Sequence, residues 1–315
     1  MMIEERRVIL RSESAYGKRV PPSEFGEFLK ILPIAIERSI RMAFEGRSTS
    51  RGRRPSWLDR ASDIRFTGIE GKDDTVLRFE APTLGSAAAE LYEQTELWAN
   101  RPNESDTGFD VLSDVIEDVT RKIKDSDRFD RSLLSDIRSF RRALNGTFQS
   151  LAIESSRERS VRSVTLDKDT TAIADGLSRD TPEPSRVRIA GKLDMIRAST
   201  RTFAIVLPEG EEVRCVLEHG EVNVLTEFLE KDILVIGTAI FRPSRSLLRV
   251  DVLEIRPASI NDNHFYRIPR PRGKALDLRE LHHEIGRKSD IKALIGKWPG
   301  DESDEEFEAI LRELA

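Results

Sequence analysis

The 315-residue chain has a single cysteine, Cys215. A lone thiol excludes an internal disulfide and suits a reducing compartment, so the sequence predicts a cytoplasmic protein. Histidine is scarce too: there are four, and His282, His283 and Glu284 are consecutive, which would turn them to different faces of a helix. With so few soft ligands the sequence predicts no metal site and no cofactor. There is no P-loop glycine-lysine run, no GxGxxG and no GxSxG, which removes the common signatures of nucleotide and serine-hydrolase chemistry. No apolar run approaches the roughly 20 residues that cross a bilayer, and the opening MMIEERRVIL is too charged for a secretory leader. Aromatic residues make up only 6%, which limits the ring platforms available for stacking.

Charge is what the chain has in quantity. Charged residues make up 34%, above the roughly 25% of an average globular chain. The net charge of −5 is unevenly placed: residues 301–315 hold seven acids against Arg312, a net −6, so the remainder is about +1. The low pI is therefore a property of the tail.

Apolar periodicity divides the chain into an α+β arrangement. Residues 1–166 predict an N-terminal mixed α/β domain. It opens with a strand at 7–11 and a helix striped by Phe25, Phe28, Leu29, Leu32, Ile36, Ile40 and Phe44, which Pro33 should kink or restart. An arginine-rich loop over 47–60 follows, then a hairpin of 64–69 and 75–80, helices at 84–98, 109–123 and 133–144, and strands at 147–153 and 161–166. Residues 167–185, polar and ending in two prolines, predict a linker.

Residues 186–257 carry the most telling order: strand, strand, strand, helix, strand, strand. Val187, Ile189, Leu193 and Met195 alternate on the first strand; Phe203, Ile205 and Leu207 on the second; Val213, Cys215 and Leu217 on the third. A helix over 222–230 precedes strands at 233–241 and 247–255. This predicts a five-stranded OB-like β-barrel, a shape used to hold oligonucleotides and oligosaccharides. Residues 258–315 read as an irregular segment with short helices, closed by an acidic amphipathic helix. There Ser303 and Glu306 form a capping box, and Phe307, Ile310, Leu311 and Leu314 form one stripe.

The runs RVRIAGKLDMIRAST, EEVRCVLE and DILVIGTAIFRPSRSLLRVDVLEI resemble an OB-like domain of uncharacterised bacterial proteins. The ending KWPGDESDEEFEAILREL is similar to the short acidic tails of small antitoxin-like proteins. The first resemblance implies a fold and the second a protein partner; neither carries a binding or catalytic residue across.

Between Arg186 and Arg256 eleven bases balance eleven acids, but they are segregated. Arg197 and Arg201 flank the first inter-strand loop and Arg242, Arg245 and Arg249 the last, while the acids crowd the second turn and the helix. Those two loops border the ligand face of an OB barrel, so the sequence predicts a non-enzymatic nucleic-acid-binding protein with these arginines lining a basic groove. Arg51, Arg53 and Arg54 would add phosphate contacts. The aromatic platform is missing, since Phe203 and Phe241 fall in phase with the core. Two alternatives stay open. One is an antitoxin-like or adaptor protein, in stress response or defence, that grips a protein partner through Phe307, Ile310, Leu311 and Leu314. In a variant of that reading, the acidic tail competes with nucleic acid for the chain's own arginines. The other is a metal-dependent nuclease using Asp63, Glu70 and Lys72. Oligomeric state is not legible.

Overall fold

The computed structural model describes residues 1–93, 101–144, 146–157, 160–218 and 222–271. Five strands form an antiparallel sheet: β1 (Ile3–Arg11), β2 (Arg65–Glu70), β3 (Thr75–Pro82), β4 (Ser150–Arg157) and β5 (Ser160–Asp167), in the order β2-β3-β1-β4-β5. Alternation sets the two faces. Val8 and Leu10 of β1, Leu77 and Phe79 of β3, and Leu151 and Ile153 of β4 are buried on one of them. The other carries Glu5, Arg7, Glu70 and Arg78, linked in a charged ladder.

Helices belonging to this sheet share its core. They are α1 (Pro22–Glu45), α2 (Ser56–Ala61), α3 (Leu84–Ala87), α4 (Ala89–Tyr92), α5 (Gly108–Thr120), α6 (Arg131–Ser139) and α7 (Lys168–Asp180). In α1 the buried stripe is Phe28, Leu32, Ile36, Ile40 and Phe44, as its spacing predicts. The helix runs through Pro33 without a break and ends where Gly46, in the left-handed region at φ 67°, donates its N–H to the Met42 carbonyl.

Two expectations need correction. The segment at 84–98 does not open as one long helix: the Leu84 and Gly85 N–H groups donate to the Asp106 and Glu104 carbonyls, and α3 and α4 are single turns. The polar stretch at 167–185 is not an open linker either, because α7 fills most of it. Its buried face is Thr170, Thr171, Ala174 and Leu177, and Asp167 caps it by accepting from the Thr170 N–H.

The second sheet is a closed barrel of β6 (Ser185–Arg197), β7 (Thr202–Val206), β8 (Glu212–Leu217), β9 (Asp232–Phe241) and β10 (Leu247–Pro257), with α8 (Asn223–Thr226) between β8 and β9. β6 pairs with both β7 and β9, and the parallel pairing of β10 with β8 closes the ring, an arrangement that fits the OB type. Its core is Ile189, Leu193, Phe203, Ile205, Val213, Cys215, Leu217, Val235 and Val250. Met195 lies outside this core, because a register shift between Leu193 and Met195 reverses the alternation and turns Met195 against Ala204.

Sheet layer and barrel are joined. Leu248 of β10 is buried in the first core, Ile240 of β9 packs against it, and Met1–Pro271 form one compact unit. No helix among the described residues is long and apolar enough to cross a membrane. The C-terminal helix with Phe307, Ile310, Leu311 and Leu314 lies outside the described residues.

Candidate functional site

The first and last barrel loops do not border one shared groove of arginines. Arg197, at the end of β6, is 5% exposed and donates to the Leu91 carbonyl at 2.7 Å. Arg249 is 4% exposed; its Nε donates to Asp251 at 2.8 Å, and its Nη1 reaches the Gly46 carbonyl at 3.1 Å and Asp130 at 3.3 Å. Arg242 donates to Asp127 through Nε at 3.0 Å and again through Nη2, and Arg214 meets the other oxygen of the same carboxylate at 2.7 Å. Ser244 and Ser246 donate to Asp125 at 2.7 and 2.5 Å.

The loop between α5 and α6 thus presents Asp125, Asp127 and Asp130 to the barrel. Burial by itself would raise the Asp130 carboxyl, but Arg249 and the Ser48 donors outweigh it and hold the group below its ordinary range. Asp127 follows the same balance, with Arg242 and Arg214 prevailing over burial. The strand face between the two loops is covered as well. Thr202 and Ala204 on β7 and Val216 on β8 alternate with core residues and so point outward, yet none is more than 1% exposed. The expected single groove of five arginines is therefore corrected. Acids 115 and 119 residues distant in sequence neutralise Arg242 and Arg249, and no pattern within the barrel reveals that. Arg201 is half-buried in a left-handed turn at φ 57°, and only Arg245 of the five is exposed.

In the arginine-rich loop, Arg54 is tied to Glu37 and, at 3.2 Å, to Asp59, whereas Arg51 and Arg53 are exposed. The two nuclease carboxylates are likewise engaged, while Lys72 is exposed in the turn between β2 and β3. Asp63 pairs with Arg65 at 2.7 Å, and Glu70 accepts from Arg78 with Arg7 3.5 Å away. Arg78 holds the Glu70 carboxyl below its usual value. Among the described residues no group of three or more His, Cys, Asp or Glu side chains is placed to hold a metal.

An open surface lies on another flank of the barrel. Arg256 grips Asp262 with two donors at 2.9 and 2.8 Å, and Ser259 with Asp262 forms a capping box over the turn Ile260–Phe265. This anchors the following strap, Tyr266–Pro271, whose Ile268 packs against the barrel core. Strap and barrel enclose a concavity of about 960 Å³. On its barrel side lie Arg188, from β6, and Glu209 and Glu211, from the turn between β7 and β8; on its strap side lie Phe265, Tyr266, Arg267 and Arg270. The Arg188 guanidinium stands 5.8 Å from the centre of the Phe265 ring. A second concavity of about 430 Å³ borders the strap and is lined by Arg214, Arg242, Arg245 and Arg270. Arg242 and Arg245 thus meet the strap there, although Arg242 is only 13% exposed.

Arg188, Arg267 and Arg270 are exposed and make no ion pair among the described residues, unlike the arginines of the closed face. Sequence reasoning missed this site because FYRIPRPR lies past the last barrel strand and has no periodicity. The legible signal was its interleaving of rings with bases. Comparisons of the chain with protein-family models, with curated proteins and with solved structures gave no match.

Proposed function

We propose that the protein binds single-stranded nucleic acid on the strap side of its barrel. The observation that carries this reading is the convergence of Arg188, Arg267 and Arg270 with the Phe265 and Tyr266 rings on one open concavity. Guanidinium groups neutralise phosphates, and rings or guanidinium planes stack on bases whatever their identity. The barrel strands alone lack such rings; the turn Ile260–Phe265 and the strap supply one each. A volume of about 960 Å³ also falls within the size range of ligand sites. On this reading the OB-like barrel is a frame, and its loop-bordered face serves to hold the sheet layer.

The test is a titration of a fluorescent oligonucleotide followed by anisotropy over a salt series. Three phosphate contacts on a single strand contribute a slope of roughly 2 in log K against log salt, at about 0.7 per contact. The triple variant R188E/R267E/R270E is expected to lose binding at low salt while keeping its fold. Equal affinity in the triple variant would overturn the placement. The adaptor reading rests on Phe307, Ile310, Leu311 and Leu314, and co-purification of a partner that is lost when Phe307 and Ile310 are made polar would favour it.

A further inference from the structure

We infer that this concavity reads bases as well as phosphates, with Glu209 and Glu211 selecting guanine; the inference rests on the nucleic-acid reading above. A groove that only tracked a backbone would have no use for carboxylates, because they repel phosphate. Here two of them line the same concavity as three arginines. Both are exposed, and neither makes an ion pair among the described residues. Gly210 between them, at φ 87°, adopts the left-handed backbone of a tight turn, and its N–H donates to the Leu207 carbonyl. The turn is closed by the Leu207 N–H donating to the Glu211 carbonyl at 2.9 Å. The two acids are thus carried on a hydrogen-bonded β-turn between barrel strands, across the concavity from the strap.

An ionised carboxylate only accepts hydrogen bonds. The ligand group that suits it must donate, and two parallel donors suit its two oxygens best. Among bases, the Watson–Crick edge of guanine offers that pair: a ring N–H beside an exocyclic amine. Cytosine and adenine offer an amine beside a bare ring nitrogen. Uracil offers one N–H between two carbonyls, which a carboxylate repels. The strap would stack the base and hold its phosphate while the turn reads its edge. Direct base contacts of this two-bond kind discriminate by roughly 1–3 kcal/mol, which is about 5- to 140-fold in affinity.

The experiment compares three labelled nine-residue oligouridine strands, carrying uridine, guanosine or inosine at the centre, on the full-length protein at low salt. Inosine lacks only the exocyclic amine. The expected result is at least fivefold tighter binding of the guanosine strand than of the uridine strand, with inosine between them. Glu209→Gln/Glu211→Gln is expected to abolish that preference, so that the guanosine and uridine strands bind alike. Equal binding of the three strands by the native protein would overturn the base-reading inference alone. A guanosine preference that persists in the double variant would overturn the assignment to these two carboxylates. Failure to bind any of the strands would overturn the nucleic-acid reading and this inference with it.

Discussion

At the scale of single residues, the closed face of the barrel is governed by ion pairs taken out of water. Asp130 accepts from Ser48, Ser132, Leu133 and Arg249, with no free surface to receive it if one partner is lost. Removing one member of such a pair leaves a buried charge and costs about 3–5 kcal/mol. Arg249→Ala is therefore expected to lower unfolding stability by about that amount in urea titrations, and a loss below about 1 kcal/mol would contradict the assignment. The pH dependence has a definite sign. The folded carboxyls of Asp127 and Asp130 sit below the ordinary 3.8, so their stabilisation is complete above that value and is lost as pH falls through the folded values. Stability should be level near neutrality and drop below about pH 4; Asp127→Asn, less stable at pH 7, should lose less on acidification. Sequence reasoning named Arg197, Arg242 and Arg249 as notable but gave them to a ligand. Charge in a sequence shows which groups need partners; Asp251, a partner of Arg249, is local, but Asp127 and Asp130, which meet Arg242 and Arg249, come from the loop between α5 and α6.

Among the elements, the barrel was the most legible part, because alternation of period 2 in β6 to β10 stands out against a charged background. The shift at Asp194 was not, since a bulge changes phase without changing composition. α7 escaped for a different reason: its buried stripe is two threonines, an alanine and a leucine, too weakly apolar to register as a helix face. The strap has no period at all, and Ile268 ties it to the barrel core. Barrel closure makes its own prediction. A side-chain carbon added at Gly237 would lie 2.4 Å from the Asp251 carbonyl oxygen on the neighbouring strand. Gly237→Ala should push β9 from β10 and destabilise by about 1–3 kcal/mol in the same urea titration. A neutral effect would contradict the tight pairing described here.

For the whole molecule, the outcome is a barrel and a sheet layer that share buried side chains and act as one body. Two independent domains would unfold in separate steps. One body predicts coincident transitions for far-ultraviolet circular dichroism and for the fluorescence of Trp57, which is buried against Phe44 in the sheet layer. Trp98 and Trp298, both outside the described residues, are changed to Phe to isolate that signal. Two resolved transitions would contradict the joined architecture. Under the proposed function the same joining places the site: a barrel whose β7–β8 face is spent on its own chain would keep its strap side for a ligand. Photo-crosslinking of a 4-thiouridine oligonucleotide, with the attachment points mapped by mass spectrometry, tests this most directly. Adducts are expected at Phe265, Tyr266 and their neighbours in the strap and on β6 near Arg188. Adducts confined to the 47–60 loop, or none above a protein without affinity for nucleic acid, would contradict it.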